Sequence, residues 1–187
     1  MNGTGLQELN KSAFRVDSVA VIGAGPAGRA FAFRCVAAGF SVVLEDVMPS
    51  KLRRAQDEYG DAPEGRLRFA STVEDAVREA DLAIDFVPDE LESKLEIFSM
   101  IDRMAPPRTV ICTPTEALSI TDLASCTYRS ERCVGMRNDF GVLVRSRFLD
   151  AGVEAAVLAF LGRLGMPVSV VDDVEEPMLV KNVRLPM

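Results

Sequence analysis

The run Gly23-Ala24-Gly25-Pro26-Ala27-Gly28 sets three glycines at the spacing G-x-G-x-x-G, directly after the apolar stretch Val19-Ala20-Val21-Ile22. In that setting the residue types point to one chemistry, the cradling of a pyrophosphate. Gly23 makes the tight turn out of a strand, Gly25 leaves bare backbone that phosphates can approach, and Gly28 permits close packing of helix on strand. Pro26 and Ala27 complete the run that opens the helix, whose free N–H groups and positive dipole end attract an anion. Asp46 stands 23 residues after Gly23, where an acid accepts hydrogen bonds from the ribose hydroxyls of an adenosine. A carboxylate there repels a 2′-phosphate, so NAD is favoured over NADP as cofactor. Glu45 is the alternative acid and is expected to point the other way. The same run also serves as a plain strand–helix turn, and it occurs in longer flavoproteins that bind FAD.

These residues need elements to hold them, and the chain alternates short apolar runs with amphipathic stretches. Strands are expected at Val19–Ile22, Ser41–Leu44, Leu67–Phe69, Leu82–Phe86, Val110–Cys112, Val134–Met136 and Val168–Val171. Helices are expected at Arg29–Ala38, closed by Gly39, at Pro49–Tyr59, and from a capping box at Ser71-Thr72-Val73-Glu74 to Ala80. Others follow at Glu90–Met104, around Thr121–Ser125 and at Gly152–Leu164. The fourth carries an apolar stripe at Leu91, Leu95, Phe98, Ile101 and Met104. Strict β/α alternation predicts an α/β, Rossmann-like, doubly wound and mainly parallel sheet with helices on both faces. Residues 1–16 read as a lead-in, 17–173 as one nucleotide-binding domain and 174–187 as a tail.

Composition narrows the function further. A net charge of −7 and a pI near 4.8 give no electrostatic grip on nucleic acid or on an anionic membrane. No apolar run is long enough to span a bilayer, and the N-terminus lacks the pattern of a signal peptide, so the cytoplasm is the expected compartment. The chain has no histidine, so no imidazole can act within it as base, shuttle or metal ligand. Cys35, Cys112, Cys126 and Cys133 are scattered without a C-x-x-C pair, so no metal site is expected. Cys35 and Cys112 read as small buried hydrophobes.

Beyond the glycine run, three segments resemble the NAD-binding domain of the 3-hydroxyacyl-CoA dehydrogenase family. Residues from Ala83 to Lys94 look like its V-V-E-A-I-x-E-N-x-x-x-K segment, those from Thr113 to Thr121 like S-N-T-S-S-L-x-I-T, and those from Arg132 to Arg137 like R-F-x-G-x-H. The likeness runs from about Ser18 to Arg184. It implies a Rossmann fold, NAD as cofactor, cofactor contacts from Asp89 and Lys94, and an acyl thioester as substrate.

The family's catalytic positions are altered here. Its histidine base falls on Arg137 and its serine on Glu116, while its asparagine is lost in Arg137-Asn138-Asp139-Phe140-Gly141. Arginine does not give up its proton at neutral pH. Two readings follow. In one, an NAD-dependent oxidoreductase uses Glu116 as a relocated acid/base, raised by desolvation, and Arg137 to polarise a carbonyl or clamp a carboxylate. In the other, a non-catalytic NAD-binding module has Glu116 and Arg137 paired across a vacated site. The family's all-helical domain would begin in the segment Pro177–Arg184, and none is expected within these 187 residues. A second copy of the chain or a partner subunit is therefore expected against the open face. Arg129, Arg132, Arg137, Arg145 and Arg147 form a local basic surplus, either a solvated face or a dock for the phosphates of a CoA- or carrier-protein-linked substrate.

Overall fold

The computed structural model of the protein describes residues 14–60 and 66–174. Most of the expected lead-in and tail, with the Pro177–Arg184 segment, lies outside them. The elements are β1 (Ser18–Ile22), α1 (Pro26–Ala37), β2 (Ser41–Glu45), α2 (Pro49–Tyr59), β3 (Leu67–Ala70), α3 (Val73–Val77), β4 (Leu82–Asp85), α4 (Leu91–Met104) and β5 (Val110–Pro114). Then come α5 (Ile120–Ser125), β6 (Cys133–Arg137), β7 (Val142–Arg145), α6 (Ala151–Arg163) and β8 (Ser169–Asp172). The strands form one sheet in the order β3-β2-β1-β4-β5-β6-β7-β8. Every neighbouring pair is parallel except β6 with β7.

The doubly wound, mainly parallel sheet is thus present, with a core on each face. One core gathers Phe31, Ala32 and Cys35 of α1, Ala55 of α2 and Val153, Val157 and Phe160 of α6 under the sheet. The opposite core takes Val73 and Val77 of α3, Ile97, Phe98 and Ile101 of α4 and Leu123 of α5. Chain order reverses at β1, which has β2 on one side and β4 on the other. A crevice at the carboxyl ends of the strands is expected at that point.

Four local expectations need correction. The first helix begins at Pro26 rather than Arg29, because proline suits a first helical turn that lacks N–H partners. The third helix is capped by Thr72, whose hydroxyl accepts from the Asp75 N–H, so the cap lies one residue past the expected box. In α4 the buried face is Lys94, Ile97, Phe98 and Ile101, while Leu91 and Met104 lie in the open. The expected stripe had left out a buried ion pair made by Lys94. Finally, β7 is a strand beyond the seven expected, and Val142-Leu143-Val144 follows Gly141 as a hairpin return does. Its turn holds Asn138, Asp139 and Phe140 at positive φ, which few non-glycine residues adopt. Phe140 stacks there on Phe31 at 4.8 Å between ring centroids.

Candidate functional site

The three glycines do three different jobs. Gly23 sits at φ 103°, where L side chains are strained. A Cβ on Gly28 would lie 1.9 Å from the carbonyl oxygen of Gly23, so that glycine is required by packing. A Cβ on Gly25 would meet nothing within 4 Å, and its φ of −66° suits any residue. The fold alone does not require a glycine at position 25, whereas the approach of a pyrophosphate does. Gly25 is also the N-cap of α1 and gives it no side-chain cap, leaving N–H groups for an anion.

Asp46 ends the β2 side of this loop. It accepts from the N–H groups of Ala24 and Met48, each at 2.9 Å, and pairs with Lys51 at 3.2 Å. Burial works to raise its carboxyl, but those two N–H groups and the Lys51 ammonium outweigh it and hold it below the usual carboxylate range. Asp46 lines a cleft of about 430 Å³ with Gly23, Lys51, Phe86, Ile97 and Met100. The bare glycine, the uncapped helix and the carboxylate in a cleft suit the adenosine and pyrophosphate parts of NAD.

Glu45, expected to point away from the ribose site, instead lines the same cleft as Asp46. Its side chain is buried, and Oε1 has no hydrogen-bond partner. Burial and repulsion from Asp46, opposed by Lys51, push the Glu45 carboxyl up to about 7. A folded value above the unfolded one stabilises the fold fully below about pH 4.5, and the contribution is lost as the pH climbs through about 7. Stability should therefore fall by on the order of 2–3 kcal/mol over that window. Glu45→Gln should remove the loss, as read from urea unfolding at both ends of the range.

A second cleft of about 250 Å³ lies beside the first, lined by Phe86, Asp89, Lys94, Pro114, Thr115 and Glu116. Its floor is the Lys94 ammonium, which is 1% exposed and is held by Asp85 at 2.7 Å and by the Pro114 carbonyl at 2.9 Å. Lys94 thus turns two of its three N–H groups inward, and any contact with a cofactor falls to the third. Asp89 stands on the rim, where it accepts from the Glu116 N–H at 2.9 Å.

The structure sets Glu116 and Arg137 near one another without pairing them. Glu116 is exposed, and its Oε1 accepts from the Asn138 N–H at 2.7 Å. Arg137 donates to the Leu118 carbonyl and faces Asp173 at 3.8 Å, and its Nε is buried without a hydrogen-bond partner. The expected ion pair is replaced because Asp173, at the end of β8, reaches Arg137 from the other side. Asp173 also accepts from the Ser119 hydroxyl at 2.6 Å and the Thr121 N–H at 2.7 Å. The Glu116 side chain stands on the rim rather than in a buried pocket.

Arg129 is buried against Asp102, and Arg145 is bound by Glu154 and Asp172. Cys35, Cys112 and Cys133 are buried and Cys126 is exposed. Among the described residues no group of three His, Cys, Asp or Glu is placed to hold a metal, and no helix is long and apolar enough to cross a membrane. Sequence reasoning missed Asp173, whose partners lie 36 to 54 residues away in the chain, and it set Glu45 aside.

Comparison with known proteins agrees with this geometry. The pattern of the family described as "3-hydroxyacyl-CoA dehydrogenase, NAD binding domain" matches residues 18–137. A probable 3-hydroxybutyryl-CoA dehydrogenase of Bacillus subtilis is 31% identical over 138 residues, covering 65% of this chain and 48% of that protein. The 5-formyl-3-hydroxy-2-methylpyridine 4-carboxylate 5-dehydrogenase of Mesorhizobium japonicum is 32% identical over 135 residues, covering 65% of this chain and 44% of that protein. The crystal structure of a 3-hydroxyacyl-CoA dehydrogenase from Archaeoglobus fulgidus superposes with a TM-score of 0.73 at 28% identity, covering 88% of this chain and 58% of that one. The chain spans about half the length of the curated relatives it matches. With its glycine loop, its Asp46 and a family match over most of the sheet, this chain belongs to the NAD-binding domain family of the 3-hydroxyacyl-CoA dehydrogenases, and its cofactor is NAD.

Proposed function

We propose that the chain serves an NAD-dependent oxidoreductase acting on a hydroxy- or oxoacyl substrate, thioesters included, through altered catalytic residues. The observation that carries this reading is the placement of Glu116 on the wall of the cleft shared with Asp89 and Lys94, immediately beside the Asp46 cleft. When bound there, NADH supplies a hydride to a carbonyl carbon. The carbonyl oxygen then needs a proton, and Glu116 is the acid placed to donate it and to take it back in the oxidative direction. Gly23, Gly25, Pro26, Ala27 and Gly28 hold the pyrophosphate, Asp46 the ribose, and Asp89 positions the backbone of Glu116. Arg137, oriented by Leu118 and Asp173, polarises the carbonyl or binds a substrate carboxylate. The Mesorhizobium relative's name includes a carboxylate, which favours the second role. A second copy of the chain or a partner subunit would close the open rim around Glu116.

A non-catalytic NAD-binding module is the second reading, favoured by the exposure of Glu116 and the tethering of Arg137 to Asp173. NADH oxidation with a short 3-oxoacyl thioester separates the two. Turnover that drops at least ~100-fold in Glu116→Ala supports the enzyme. A sample that binds NADH and turns over nothing supports the module.

A further inference from the structure

We propose that Glu45 reads the adenine base of the dinucleotide with a neutral carboxyl group, so that the chain binds NAD(H) in its Glu45-protonated form and takes up a proton as it does so. This rests on NAD as the cofactor, and its test separates the two claims.

The geometry is that of a buried acid with nothing to do in the free protein. Glu45 is 3% exposed, lines the Asp46 cleft, and leaves Oε1 without a partner. Such a group costs free energy unless a ligand completes it. The elements around it offer little charge. Its strand neighbours in register are Ile22 and Ala70, α3 presents Val73, and α4 presents Ile97, Met100, Ser93 and Glu96. The charged groups lining this cleft with it are Asp46, Lys51 of α2 and Glu96 of α4. Lys51 is already engaged by Asp46, and the Asp46 carboxylate repels a charge on Glu45.

The chemistry of the base supplies the missing partner. Adenine carries a ring-nitrogen acceptor beside an amino donor. A neutral carboxyl matches that edge with its O–H donor and its C=O acceptor. A carboxylate has acceptors only and would face the ring nitrogen lone pair. Seating the base also expels water from the apolar walls, which further disfavours the charged form. Burial and the neighbouring Asp46 place the free carboxyl near 7, so the protonated fraction changes across ordinary pH. The chain has no histidine to titrate in the same window.

The test is calorimetric titration of the protein with NADH from about pH 6 to about pH 8.5, in buffers of different ionisation enthalpy that count protons. Wild-type protein is expected to bind about 30-fold more weakly at the alkaline end and to take up most of a proton per NADH near pH 7.5. ADP-ribose should show the same dependence, and nicotinamide mononucleotide should not. Glu45→Gln keeps a donor and an acceptor on one side chain, so it should bind NADH with an affinity independent of pH. Binding with no pH dependence and no proton uptake in the wild-type protein overturns the proposal and leaves NAD as cofactor. So does a folded Glu45→Gln protein that keeps the wild-type profile. Failure of NADH to bind at any pH overturns both claims.

Discussion

Lys94→Met is expected to destabilise the fold by about 3–5 kcal/mol, because it strips the counter-charge from an acid with no access to water. Asp85 is 0% exposed and Lys94 1% exposed, and they meet at 2.7 Å where β4 hands over to α4. Burial already pushes the Asp85 carboxyl up, against the opposing charge and hydrogen bond of Lys94. Without Lys94, Asp85 must stay charged alone or take a proton. The variant's deficit should therefore be largest at high pH and shrink as the medium becomes acidic. The Pro114 carbonyl loses a donor as well, which loosens the strand end that carries Thr115 and Glu116. The double variant Asp85→Leu with Lys94→Met should recover most of the loss, since well-packed apolar pairs often replace buried ion pairs at little cost. Urea unfolding decides it. A single-variant loss under about 1 kcal/mol would mean that water reaches the pair and that Lys94 is free to serve a ligand.

This pair marks the boundary of what the sequence could reveal. Alternation of short apolar runs with amphipathic stretches is a local signal, and it carried the sheet, its parallel sense and seven of the eight strands. The glycine run and Asp46 were legible because their roles depend on backbone geometry at fixed offsets along the chain. The rest of the site depends on which long-range partner wins. Lys94 read as a cofactor contact from its position in a motif, while its partner Asp85 lies in the same segment and takes the ammonium first. Arg137 invited pairing with Glu116, and nothing local shows that Asp173 arrives beside it just past β8. Glu45 was expected to point away from the ribose site, and nothing local shows that one cleft takes in both acids at the end of β2. The β6–β7 hairpin was hidden by its turn, where Asn138, Asp139 and Phe140 take a backbone conformation usually left to glycine.

The sharpest test of the dinucleotide loop lies in two glycines that should both weaken NADH binding but differ in what they do to stability. Gly28→Ala puts a Cβ 1.9 Å from the Gly23 carbonyl oxygen, a backbone atom that no rotamer change can move. Either α1 lifts from the sheet or the β1 turn opens. Overpacking of this kind costs about 1–3 kcal/mol, and NADH affinity should fall at least ~100-fold, because the turn, the helix end and the Ala24 N–H held by Asp46 move together. Gly25→Ala meets open space at a φ of −66°, so its stability should change by no more than about 0.5 kcal/mol, or rise slightly through a less flexible unfolded chain. Its new methyl group nevertheless occupies the surface a pyrophosphate must touch, and NADH affinity should drop at least ~10-fold in a protein that is otherwise intact. Thermal unfolding and NADH fluorescence, read in a chain that has no tryptophan, measure both effects on the same samples. The decisive case is Gly25→Ala. Undiminished NADH binding there would show that the phosphates do not approach this loop, however well the glycines match the pattern.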